Sequence, residues 1–144
     1  MPKKRIKKLS LDWDLPFDYD IFGICSHHPD YRLVWGMNNA LGWQLEKVDE
    51  PFIPNAVKSK PNSRHSFYEY HDEEDRVDYY LIKNKGDRRL LIEEQPGIDY
   101  FLFSNNPLGA REKETISRLN SIQNILATYY FEEEALPSVK NITL

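Results

Sequence analysis

The sequence predicts one α+β domain, a mainly antiparallel sheet with two helices on one face. Three observations carry that prediction. Short segments alternate apolar with polar residues, as half-buried strands require. Two stretches, at about 30–41 and 111–124, instead repeat apolar residues at three- and four-residue spacing, the period of a helical stripe. Turn-forming Pro, Gly, Asn and Asp punctuate the intervals between them. The chain has 144 residues, 40% of them apolar, which is one domain's length with enough apolar surface for a self-sufficient core.

The elements follow in order. Leu9, Leu11, Trp13 and Leu15 alternate with Ser10, Asp12 and Asp14 up to Pro16, which reads as a strand with one wet face. Tyr19 to Cys25 is richer in aromatic and aliphatic residues and reads as a more central strand. Ser26, His27, His28, Pro29 and Asp30 form a helix start: Ser26 or His28 caps, and Asp30 complements the positive end of the helix dipole. Val34, Met37 and Leu41 supply the stripe and Gly42 the stop. Trp43, Leu45 and Val48 open another strand before Pro51 and Pro54.

Residues 50–64 read as a loop, and a meander follows. Phe67 to Tyr70 pairs with Val77 to Ile82, Leu90 to Ile92 makes a further strand, and Ile98 to Phe103 another. A helix over 111–124, with Ile116, Leu119 and Ile122 on one side, leads to a strand over Thr128 to Phe131. Two β-α-β units flanking a meander predict a ferredoxin-like arrangement with an inserted hairpin meander. The organisation is a basic arm over 1–8, a domain over 9–136 and a tail over 137–144.

Charge is unevenly placed. The net charge is −4, yet Lys3, Lys4, Arg5, Lys7 and Lys8 stand at the N-terminus. Such an arm on an acidic body suits nucleic acid or another anionic surface, although a solvated lead-in is the commoner role. No apolar h-region follows these cations, and no run of apolar residues approaches the length of a membrane span. Cys25 is the single cysteine, so no intramolecular disulfide forms, which fits a reducing compartment and a cytoplasmic protein.

Residues 92–100 read Ile-Glu-Glu-Gln-Pro-Gly-Ile-Asp-Tyr. This resembles the signature of the IPExxxVDY family of small bacterial proteins. Ile92, Glu94, Asp99 and Tyr100 match at the family's spacing, Glu93 stands in place of its proline, and Ile98 in place of its valine. The likeness extends to Ser26-His27, to Asp30-Tyr31-Arg32-Leu33 and to Tyr79-Tyr80-Leu81-Ile82 with its Asn84-Lys85-Gly86 turn. The resemblance implies kinship and assigns no activity. Read as chemistry, the motif is two strand ends and a turn, and Asp99 is placed to cap that turn through a backbone N–H. A ligand-facing pair of Glu94 and Asp99 is the functional alternative.

No residue pattern specifies catalysis. His27 and His28 are adjacent and diverge, so they do not share a metal ion, and capping or solvation is the favoured reading for each. His71 with Asp72, Glu73, Glu74 and Asp75 lacks the alternation and glycine of a calcium loop. Cys25 lacks an adjacent base, and no nucleophile elbow, phosphate loop, Cys-x-x-Cys pair or dinucleotide fingerprint is present. An enzyme would have to centre on Ser26, His27, His28 and Asp30. The expectation is therefore a non-catalytic binding or assembly module without metal or cofactor. It would act as a homodimer that recognises a protein partner or a small ligand through an aromatic-rich sheet face left open by too few helices. His27, His28, Asp30, Arg32, Glu94, Asp99 and Tyr100 are the candidate contact residues. The alternative is a nucleic-acid-associated accessory protein using Lys3, Lys4, Arg5, Lys7 and Lys8.

Overall fold

A computed structural model describes residues 17–105 and 112–144. Six strands make one antiparallel sheet: β1 (Asp20–Cys25), β2 (Glu46–Lys47), β3 (Phe67–Asp72), β4 (Val77–Lys83), β5 (Tyr100–Ser104) and β6 (Ala127–Phe131). Their spatial order is β2-β3-β4-β5-β1-β6. Helix α1 (Asp30–Leu41) follows β1, and α2 (Glu112–Asn120) follows β5. Two short 3₁₀ turns, Glu133–Ala135 and Pro137–Asn141, close the chain. The α+β class and antiparallel sheet agree with the sequence. The expected first strand, Leu9 to Leu15, lies outside the described residues.

The alternation of side chains along each strand sorts the core into two layers. Phe22 and Ile24 of β1, Leu81 of β4, and Tyr100 and Leu102 of β5 face the helices, meeting Leu33, Val34 and Met37 of α1 and Leu119 of α2. Ile21, Ile82, Phe101 and Phe103 face the other way. Strand β5 is buried along its whole length, which is why its sequence is a continuous apolar run rather than an alternating one.

The second face corrects the main structural expectation. Two helices do cover only one side, but the other is not left open. Phe52 from the loop after β2, Leu91, Ile92 and Ile98 from the segment between β4 and β5, and Leu136, Val139 and Ile142 from the C-terminal turns pack over it. The segment from Pro137, expected as a tail, contributes to that layer: Val139 is 1% exposed. Leu90 to Ile92 is not a strand. Leu90 makes one isolated bridge to Lys85, and Leu91 and Ile92 turn inward because Asn84 captures their backbone.

Asn84 is fully buried. Its side-chain amide donates to the carbonyls of Gln95 and Ile98 at 3.0 and 2.8 Å, and its Oδ1 accepts the Ile92 N–H at 2.8 Å. Its own carbonyl accepts the Leu91 N–H at 2.7 Å. One asparagine thus supplies the hydrogen bonds that a loop lying against a sheet needs.

One end of each helix differs from expectation, the start of α1 and the stop of α2. Pro29 is the N-cap of α1, with no side-chain cap bond, and Gly42 closes the helix with φ +70°. Helix α2 stops at Asn120 instead of 124. The chain then tightens into three-residue turns, with Ser121 Oγ on the Arg118 carbonyl at 2.6 Å and the Ile122 N–H on Leu119 at 3.0 Å. That frees the Asn124 carbonyl to accept Ser26 Oγ at 2.7 Å.

Candidate functional site

The corner between β1 and α1 is held by a network of side-chain hydrogen bonds. Ser26 is buried. Its N–H donates to Asp99 Oδ2 at 2.9 Å, and its hydroxyl, donating to Asn124, accepts the His28 N–H at 3.1 Å. Tyr100, 2% exposed, donates its hydroxyl to the His28 carbonyl at 2.8 Å. Burial raises that hydroxyl's pKa, with Asp30 and Asp99 adding to the effect. Asp99 and Tyr100 therefore fix where α1 begins.

Glu94 does different work. Its carboxylate accepts both the Ser138 N–H and the Ser138 hydroxyl, pinning the C-terminal 3₁₀ turn across the second sheet face. Burial pushes its pKa up, but the two Ser138 bonds, its own backbone N–H and the Lys60 charge together bring the net shift downward. Glu94 and Asp99 hold separate segments and make no ligand-facing pair. Together with Ile92, which is fully buried, the residues matching the Ile-Glu-Asp-Tyr pattern are fasteners between distant parts of the chain.

Asp30 is also committed to structure: its Oδ1 accepts the Tyr31 N–H at 2.8 Å and its Oδ2 lies 4.0 Å from Lys47 Nζ. The Tyr68 hydroxyl beside it is pushed up to about 12, by burial first and then by that carboxylate. His27 is exposed. Lys3, Lys4, Arg5, Lys7 and Lys8 lie outside the described residues.

What the corner positions is the outer face of α1. Tyr31 is 67% and Trp35 68% exposed, one helical turn apart and so on the same side. With His28, Arg32, Gln123 and Asn124 they line an open groove of about 540 Å³. Gly36 allows its far wall to close in: a Cβ there would lie 2.8 Å from the Asn124 side chain. That side chain donates to the Arg32 carbonyl at 3.1 Å. No carboxylate lines the groove. His28 and Arg32 were legible as candidates from the sequence, whereas Tyr31, Trp35, Gln123 and Asn124 were not singled out. The available signal was two aromatics four residues apart, off the Val34-Met37-Leu41 stripe.

A second cavity, about 40 Å³, lies between Asp20, Leu41, Trp43, Tyr79 and Arg118, room for little more than water. Burial raises Asp20 there, helped by Glu112, and takes the Tyr79 hydroxyl to about 12.

Nothing in either place assembles a reacting constellation. Burial, then Asp99, raises the Cys25 thiol, the opposite of an activated nucleophile, and its Sγ lies against the Gly97 carbonyl at 3.6 Å. Among the described residues no group of three or more His, Cys, Asp or Glu is gathered for a metal ion, and no helix is long and apolar enough to cross a membrane. No protein-family model and no curated protein matches the chain.

Proposed function

We propose that the chain is a non-catalytic protein-recognition module, and that its contact surface is the groove on the outer face of α1, not the sheet. The observation that carries this reading is the exposure of Tyr31 and Trp35 side by side over a groove that Arg32 also lines. Tyr, Trp and Arg are the residue types that dominate binding energy at interfaces, because the two rings bury a large area with little rotamer loss and keep a polar edge, and the guanidinium presents a planar fork of donors. On a chain of net charge −4, a groove without carboxylates favours an acidic peptide segment carrying an apolar side chain for the two rings.

Selection from a random peptide library tests it. Binders should be enriched in Asp or Glu beside an aliphatic or aromatic residue. Trp35→Ala should weaken them at least about tenfold, the effect of losing roughly 1.4 kcal/mol, and Arg32→Glu should invert their charge preference. An absence of binders, or binders indifferent to both substitutions, overturns the reading.

Finer assignments belong to the same proposal. The fastening roles of Ile92, Glu94, Asp99 and Tyr100 support membership of the IPExxxVDY family, and the single cysteine supports a cytoplasmic setting. The insertion of β5 between β1 and β4, and of β1 between β5 and β6, supports a ferredoxin-like core to which β2 and β3 are added.

A further inference from the structure

The two edges of the sheet are unequally protected. β2 is a two-residue strand, Glu46-Lys47, both exposed; a short, charged edge resists pairing with another chain. β6 has none of these devices. It runs five residues, Ala-Thr-Tyr-Tyr-Phe, without Lys or Pro, and pairs with β1 in unbroken register, with no bulge to twist it away. Among the described residues its other side has no strand partner. Tyr129 in its middle is 50% exposed, and Leu126 at its entrance 61%.

We infer that β6 pairs antiparallel with β6 of a second copy, about a two-fold axis at Tyr129, so that the sheet continues across the interface. The charges around the strand accommodate a second copy in this orientation. Exposed Glu132, Glu133 and Glu134 follow β6. Residues 121–126 before it carry no charge, and the Asn124 side chain there is bonded to the backbone of Arg32. Antiparallel self-pairing centred on Tyr129 sets each Glu132 opposite the other copy's Leu126, whereas parallel pairing would stack the two acidic runs. The same axis brings Tyr129 against its own symmetry mate, an aromatic pair of the kind that stabilises sheet ladders. This surface is separate from the α1 groove, and the inference does not rest on the recognition reading.

Sedimentation across a wide concentration range reads the association, and a cysteine at the axis reads its geometry. The full chain should show a monomer–dimer equilibrium. Tyr129→Lys, which opposes two cations at the axis, should raise its dissociation constant at least tenfold with an unchanged circular dichroism spectrum. In a Cys25→Ser background, Tyr129→Cys should form an intermolecular disulfide on mild oxidation, because directly opposed strand residues fall within disulfide reach. Ile53→Cys, equally exposed at 50% but away from β6, should not. A monomer at every concentration overturns the inference. So does a dimer indifferent to Tyr129→Lys, or crosslinking at 129 no faster than at 53. Trp35→Ala should leave the dimer intact, so failure here is distinguishable from failure of the groove.

Discussion

Replacing Asn84 by alanine tests whether one buried side chain holds the second layer on the sheet. The substitution removes three hydrogen bonds. The bonds to Ile98 and Ile92 are buried, so the Ile98 carbonyl and the Ile92 N–H are left unpaired in the interior, at about 1–3 kcal/mol each. The Gln95 carbonyl is partly buried and adds less, because water reaches it. A total loss of about 3–5 kcal/mol is expected, against the roughly 5–15 kcal/mol that stabilise a domain. Urea denaturation followed by tryptophan fluorescence measures it through the midpoint at constant slope. Asn84→Asp refines the test. Its carboxyl still accepts from Ile92 but presents an oxygen to two carbonyls, so the folded state favours the protonated acid. The deficit of Asn84→Asp should therefore shrink as pH falls below the variant's raised folded-state pKa. A loss under about 1 kcal/mol for Asn84→Ala, or a deficit of Asn84→Asp independent of pH, would show that packing by Leu91, Ile92 and Ile98 holds the layer unaided.

Five further expectations can be measured on the same footing. His65 is 1% exposed, its Nδ1 lies 2.8 Å from the Lys83 carbonyl, and its buried Nε2 has no partner. Burial, aided by the Arg89 charge, lowers its pKa below 6.5 despite the Lys83 bond and Asp87. The unfolded chain is therefore protonated first, and the His65 contribution, full above about pH 6.5, should fall as pH drops. The difference between wild type and His65→Gln isolates this from His71, whose pKa is raised, first by its hydrogen bond to Asp78, so that its contribution has the opposite sign. Gly42→Ala should cost about 1 kcal/mol through its positive φ alone, having open space around it. Gly86→Ala should cost about 2–3 kcal/mol by thermal melting, since its Cβ would fall 2.1 Å from Ser63 Oγ and 2.7 Å from His65 Nε2. A double-mutant cycle between Glu94→Ala and Ser138→Ala should return a coupling of about 1–2 kcal/mol, and no coupling would remove the Ser138 hydroxyl from the C-terminal fastener. Thr128→Val should stabilise by about 1 kcal/mol, because the Thr128 hydroxyl is buried without a partner and a methyl group has no bond to lose.

How far the sequence could be read depended on the range of the interactions involved. The cores of β1, β3, β4, β5 and α1 were legible because strand and helix periods are local properties of a dozen residues or fewer. Asn84 and Ser26 were not legible as fasteners. Each bonds groups whose positions are set by other elements, and an asparagine after a strand looks the same whether it caps a turn or anchors a buried loop. Leu90 to Ile92 misled for a related reason: three aliphatic residues in a row suit a strand and equally suit a loop pressed on a sheet. For the candidate site, His28 and Arg32 were visible from their types, but the groove needed Gln123 and Asn124 from a turn some ninety residues on.

By itself the sequence determined the α+β class, the helical stripe of α1, the hairpin of β3 and β4, and the lack of any recognisable reacting motif, since these follow from residue type and spacing. Tertiary structure alone decided that the second sheet face is closed and that the Glu94-Asp99-Tyr100 pattern fastens the chain. It also decided that two aromatics of α1 stand in solvent over a groove while β6 is an edge strand among the described residues. Burial is the physical reason. Whether an apolar or charged side chain meets water or protein is fixed by segments distant along the chain, and no local period records where they fold.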